Sequence, residues 1–288
     1  MLAQYLFGAA LAGSSVAANF CGTGEPPAAF VSAMKSLKEA APTDSFALSQ
    51  VPSSTISIPV YVHAVVNSTV PDDYLNREVI SAQVNVLNDR FSPHDITFTL
   101  ESTSRTVDDE LALGLDTYQF NNFKLSHRQG GPETLNLYYV TNMRLDLGGA
   151  CTFPLENMDP VMNPLARLDG CVMQAYSVPG GTGYLGRTFN GEITVHEVGH
   201  WLGLLHTFEG ETCDGPGDNI DDTPAQCLPT EMYTCPVGKD SCPDHEGVDP
   251  IRNFMDYSGE DCWKEFTPGQ KERMHEVFFS LRAPSQST

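Results

Sequence analysis

His196 and His200 stand four residues apart in the segment ITVHEVGHWLGLLHTF, with Glu197 directly after the first. On a helix that spacing puts both imidazoles on one face, within reach of one metal ion. Gly203 follows three residues after His200 and can take the positive φ that turns a chain out of a helix. After such a turn His206 can return as a third ligand. Three neutral imidazoles leave Zn2+ one open position for water, the pattern of a catalytic and not a closed structural site. Zinc lowers the pKa of such a water from about 15.7 to about 7. Glu197 is then placed to take the proton as general base. One histidine on an apolar helix is ordinarily a core residue. Three at these offsets, with a glutamate beside the first, point to chemistry.

A second feature lies about 50 residues downstream, in Asn253-Phe254-Met255-Asp256-Tyr257. Alone, a methionine is core filler. In a tight turn after the histidine motif, Met255 can form an apolar floor beneath the three imidazoles.

Several elements must carry these residues. Thr55–Val66 is β-branched and reads as a strand, and Ile96–Val107 alternates as a second. Between them, Asp73–Phe91 has the apolar spacing of an amphipathic helix. Residues 110–127 read as helical, and Leu135–Val140 and Leu168–Ala175 as two further strands. Glu192–Gly203 is the histidine-bearing helix. Residues 207–262 have little regular pattern. Thr267-Pro268-Gly269-Gln270 reads as an N-cap followed by Pro, opening a last helix to about Leu281. Upstream, only a weak helix over Ala28–Ala40 interrupts residues 19–50. The order predicts a mixed sheet backed by helices, then a loop-rich lower half. No internal repeat, GxSxG, P-loop or dinucleotide fingerprint is present.

The chain has 288 residues, of which 41% are hydrophobic, an ordinary globular composition. Its net charge of −21 disfavours nucleic acid and anionic membrane surfaces as partners. Residues 1–18, MLAQYLFGAALAGSSVAA, have the short apolar run and small-residue end of a secretory signal peptide. Eight cysteines behind it predict disulfides in a secreted, extracellular protein. Five of them fall between 213 and 262, where periodic apolar residues are lacking. Eight cysteines allow 105 pairings, so spacing alone fixes none. Asn67-Ser68-Thr69 is a glycosylation sequon. The six acids Glu209, Glu211, Asp214, Asp218, Asp221 and Asp222 are either a solvated surface or a Ca2+ site. His63, His94, His127, His245 and His275 are read as structural.

HEVGHWLGLLH with NFMDY resembles the pappalysin branch of the metzincin metallopeptidases. CGT at Cys21, DGC at Asp169, VPGGT at Val178, DTPAQ at Asp222, CPVGKDSCP at Cys235 and FTPGQ at Phe266 extend the likeness to the branch's small secreted fungal metalloproteases. The resemblance implies an α+β, metzincin-like zincin fold with an upper subdomain over about 51–206 and an irregular lower one over about 207–288. The catalytic domain would then span 51–288, after a 19–50 N-terminal segment or short propeptide. It implies a monomeric zinc endopeptidase acting on proteins or peptides, with Leu168–Ala175 near the edge strand that pairs with substrate. It assigns metal binding to His196, His200 and His206, the base to Glu197 and oxyanion stabilisation to Tyr257. It pairs Cys213 with Cys242, Cys235 with Cys262 and Cys151 with Cys171. Cys21 is then either a switch that ligates zinc and blocks the site, or the partner of Cys227 in a fourth disulfide. A catalytically silent binding protein on this scaffold is the alternative reading.

Overall fold

The computed structural model describes residues 20–40, 55–114, 117–143, 147–155, 157–158, 162–183 and 186–283. The expected signal peptide, residues 1–18, lies outside them.

Five strands form one sheet: β1 (Ile56–Val66), β2 (Ile96–Val107), β3 (Leu135–Val140), β4 (Gly149–Cys151) and β5 (Cys171–Gln174). Their order is β2-β1-β3-β5-β4, parallel except for β4, which runs antiparallel to β5. The central β3 is buried at all six positions because both of its faces are covered. Leu135, Leu137 and Tyr139 enter the main core, while Tyr138 and Val140 join Phe120 and Phe123 on the opposite face.

The helices are α1 (Ala28–Ala40), α2 (Arg77–Phe91), α3 (Tyr118–His127), α4 (Glu192–Trp201) and α5 (Pro268–Val277). Asn76 caps α2 by accepting from the Glu78 and Val79 amides. Its buried stripe of Ile80, Val84, Leu87 and Phe91 packs on β2 and toward α4. Helix α3 covers the other face of the sheet through Phe120 and Phe123. Helix α5 opens with a reciprocal capping box between Thr267 and Gln270.

Three expectations are corrected. Helix α2 starts at Arg77, not Asp73. The helix over 110–127 is broken at Gly114, where φ is 73°, so only Tyr118–His127 is α-helical. The strand over 168–175 shortens to Cys171–Gln174, because Pro164–Leu168 forms a 3-10 turn. That strand is second from the sheet border. The border itself is the three-residue β4, which has no hydrophobic pattern to betray it.

The disulfides Cys151–Cys171, Cys213–Cys242 and Cys235–Cys262 are all formed. The first ties β4 to β5 and the other two staple the irregular lower half. The Cys21–Cys227 bridge is not formed. Cys21 Sγ lies 3.5 Å from His200 Nε2, whereas Cys227 sits beside the Cys213–Cys242 pair.

Candidate active site

Helix α4 is buried along its whole length beneath β4 and β5. Its N-terminus follows Gly191, at φ 86°, and has no cap of its own. Glu260 from the lower half supplies one instead. Its carboxylate accepts from the amides of Asn190 at 2.6 Å, Glu192 at 2.7 Å and Ile193 at 3.1 Å. The helix ends at Trp201, and Gly203, at φ 89°, reverses the chain so that His206 returns. A Cβ on Gly203 would fall 2.6 Å from Val277 Cγ2.

The three histidines converge. His196 Nδ1 donates to the Phe254 carbonyl at 2.6 Å, and His200 Nδ1 donates to the Leu204 carbonyl at 2.8 Å. With those protons on Nδ1, each Nε2 presents a bare lone pair inward. His200 Nε2 lies 3.2 Å from His196 Nε2 and 3.1 Å from His206 Nε2. Facing lone pairs at that range repel unless a cation sits between them. A tetrahedral zinc with nitrogen bonds of about 2.0–2.1 Å separates ligand nitrogens by about 3.4 Å, and a nitrogen from a sulfur by about 3.5 Å. The donor set therefore fits a metal ion, with Cys21 Sγ at the distance of a fourth ligand. Burial holds His200 down to about 4 and the other two well below their ordinary value, so all three are neutral.

Glu197 is fully buried, and burial pushes its carboxyl up to about 7. Its Oε2 accepts from Thr23 Oγ1 at 2.8 Å, while Oε1 is buried without a hydrogen-bond partner. Met255 is buried against the histidine-bearing helix. A Cβ on Gly199 would fall 2.5 Å from its Sδ, so the glycine inside the motif is what admits the methionine. The Tyr257 ring is buried, 4.9 Å from that of His206 and edge-on to it.

Sequence reasoning left three contributors without a role. Thr23 touches the base, but lies 174 positions away. Glu260 caps the active-site helix. Gln226 is buried and bridges the loop after His206 to the methionine turn: it accepts from Thr207 Oγ1 at 2.7 Å and donates to Asp256 Oδ1 at 2.9 Å. The DTPAQ segment was its only signal. The six acids do not gather. Asp222 accepts from Thr267 Oγ1 and the Gly269 amide at the start of α5, Asp218 is buried, and Asp214 is exposed beside His245. Among the described residues no three of these carboxylates come within reach of one ion. Asn67 lies in the turn after β1, where its Nδ2 donates to Asn142 Oδ1.

Residues 20–23 lie along the outer edge of β4. Cys21 bridges Gly149 in parallel, the Gly22 amide donates to the Gly149 carbonyl at 2.7 Å, and the Cys151 amide donates to Thr23 Oγ1 at 2.9 Å. The N-terminal segment thus takes the place that an added strand would occupy.

Residues 182–279, which carry the histidines and the methionine turn, match the peptidase family described as pregnancy-associated plasma protein-A. An extracellular metalloprotease of Colletotrichum graminicola is 43% identical over 270 residues, covering 91% of this chain and 90% of its own. The chain belongs to the pappalysin family. A second such extracellular metalloprotease, from Pyricularia oryzae, is 40% identical over 285 residues and covers 95% of both chains. Mature mirolysin of Tannerella forsythia, solved with a cleaved peptide, superposes with a TM-score of 0.64 at 27% identity, covering 81% of this chain and 95% of its own. Promirolysin superposes equally well, at 26% identity, and covers 92% of this chain. This pappalysin is thus an extracellular, metal-dependent peptidase with an α+β metzincin fold. It acts on protein or peptide chains.

Proposed function

We propose that this pappalysin is a secreted zinc endopeptidase whose zinc is held by His196, His200 and His206. The observation that carries the reading is the convergence of the three Nε2 atoms, that of His200 lying 3.2 Å from His196 and 3.1 Å from His206, with Glu197 next to His196 on the helix. Bound zinc would supply Lewis acidity, acidifying water and polarising the scissile carbonyl. Glu197 takes the proton from the attacking water and returns it to the leaving amine. Its burial suits that exchange, because a carboxylate desolvated on one oxygen is a stronger base than one in water. The Tyr257 hydroxyl donates to the carbonyl oxygen as negative charge builds on it. Met255 floors the site, and the phenyl edge of Phe20 now fills space against His196 and Tyr257.

In the same reading, residues 1–18 are a signal peptide, 19–50 a propeptide and 51–288 the catalytic domain, which acts as a monomer. Cys21 is the latency ligand. Its thiol reaches the position where the fourth zinc ligand belongs, and Thr23 ties up the base. The wider match of promirolysin than of mature mirolysin supports this assignment. Asn67 is the glycan acceptor.

The test is incubation of the processed enzyme with casein, with and without a zinc chelator. Cleavage that the chelator abolishes and zinc restores supports the reading. A zinc-loaded, processed enzyme that cleaves nothing transfers it to a silent binding protein on the same scaffold.

A further inference from the structure

Away from the active site, three sulfurs crowd together in the lower half. Cys213 and Cys242 form a disulfide, Cys227 carries a free thiol, and all three Sγ atoms lie within 4.8 Å of one another. Cys227 is partly exposed. Its Sγ donates to the Ser241 carbonyl at 3.1 Å, and Cys213 Sγ lies 3.5 Å from the same oxygen. A leftover thiol in a secreted chain is a reactive group, and here a disulfide already stands within its reach.

We infer that Cys213, Cys227 and Cys242 form an internal thiol–disulfide exchange site. Cys227 gives its proton to solvent, and the thiolate attacks Cys213 Sγ. The Cys213–Cys242 bond breaks as the Cys213–Cys227 bond forms. Cys242 leaves as a thiolate and takes up a proton. Nothing is oxidised or reduced overall, so no external oxidant is needed.

The exchange reaches the active site through the neighbouring residue. Gln226, directly before Cys227, is the buried bridge between Thr207 and Asp256. Thr207 follows the third histidine, and Asp256 follows Met255. The Cys227 amide is itself anchored on Ser241 Oγ at 3.1 Å. Drawing Cys227 into a bond with Cys213 pulls on this anchor and loosens the Gln226 bridge. The isomer with the shorter 213–227 loop is therefore the less active form. The exchange stands on the sulfur cluster alone; its effect on activity rests on the proposed function.

The experiment holds the purified processed enzyme at pH 8 in oxygen-free buffer and quenches samples in acid over time. Free thiols are blocked with N-ethylmaleimide, and pepsin digestion at low pH, where thiolate is scarce, gives the non-reduced map. The expected result is a Cys213–Cys227 peptide, with label moving from Cys227 to Cys242. Activity should fall in proportion to the converted fraction, while C227S keeps full activity through the same incubation. Label confined to Cys227, or a Cys227 link between two chains, overturns the exchange. Conversion without loss of activity overturns the coupling through Gln226. In either case the active C227S enzyme keeps the peptidase reading separate from this one.

Discussion

Thr23 Oγ1 hydrogen-bonds Glu197 Oε2 at 2.8 Å, across 174 positions of sequence. The same hydroxyl accepts from the Cys151 amide on β4. One side chain therefore fixes the N-terminal segment to the border strand and occupies the base at once, while Cys21 stands two residues before it against His200. Under the proposed function, these contacts of Cys21 and Thr23 are what would hold the unprocessed chain latent.

These contacts can be separated. In unprocessed chain, Cys21→Ser should raise casein cleavage by at least about tenfold, since thiolate is the stronger zinc ligand. Thr23→Val should raise it less, because the thiol still blocks the fourth position. Each variant is compared with its own processed form, which must have wild-type activity. Equal activity of wild type and Cys21→Ser before processing would remove the switch.

Glu197→Gln keeps the shape of the side chain and removes the base. The loss expected is about 10²–10⁴ in kcat, with zinc content unchanged at one ion per chain. Metal analysis beside kinetics distinguishes this from a collapsed site. A variant that loses zinc along with activity would assign Glu197 to holding the site together.

Much of the fold is legible where local chemistry and tertiary packing agree. The spacing of Ile80, Val84, Leu87 and Phe91 announces α2, and Thr267-Pro268 with Gln270 announces α5. Strand β4 is illegible because Gly149, Ala150 and Cys151 have no pattern of their own; only β5 makes them a strand. Over residues 110–127 apolar spacing continues through Gly114, whose positive φ breaks the helix that the spacing predicts. At the site, the imidazoles are readable because all three are close in sequence, His196 and His200 one helical turn apart and His206 just past Gly203. Thr23, Glu260 and Gln226 are not, since each acts on residues far off in sequence. Gly199 is intermediate: its place in the motif is plain, but its reason appears only when Met255 Sδ is found where a Cβ would be.

Asp169 should be among the costliest positions outside the site. It accepts from Arg282 at 3.0 and 3.2 Å, from Trp201 Nε1 at 3.1 Å and from Thr152 Oγ1 at 2.7 Å. Arg282 also donates to the Trp201 carbonyl at the end of α4. Both partners are buried, so Asp169→Ala strands a guanidinium in the core and should cost about 3–5 kcal/mol in denaturant unfolding. The double variant Asp169→Leu, Arg282→Met should recover part of that loss, because Arg282 goes with its partner and only Arg128, 3.4 Å from Asp169, is left without the carboxylate. Equal destabilisation of the single and double variants would mean that the bonds to Trp201 and Thr152, and not the charge pair, carry the effect.

Asp218 gives a stability that depends on pH in a defined direction. Its Oδ1 accepts from the Ile220 amide at 3.0 Å and from Thr223 Oγ1 at 2.7 Å, while Oδ2 is buried without a partner. Burial pushes its carboxyl from 3.8 up to about 7. The folded chain therefore holds this proton more tightly than the unfolded chain does. The resulting stability is fully present below about pH 4 and is lost as pH rises through 7. Asn at this position keeps an acceptor for both donors and carries no charge at any pH. Asp218→Asn should thus gain stability relative to wild type between pH 5 and 8, read as a growing difference in Tm. Glu209 and Glu260, which burial also raises, are present in both proteins and cancel in that difference. A Tm difference that stays flat from pH 5 to 8 would show that Asp218 is solvated and ordinary in the folded protein.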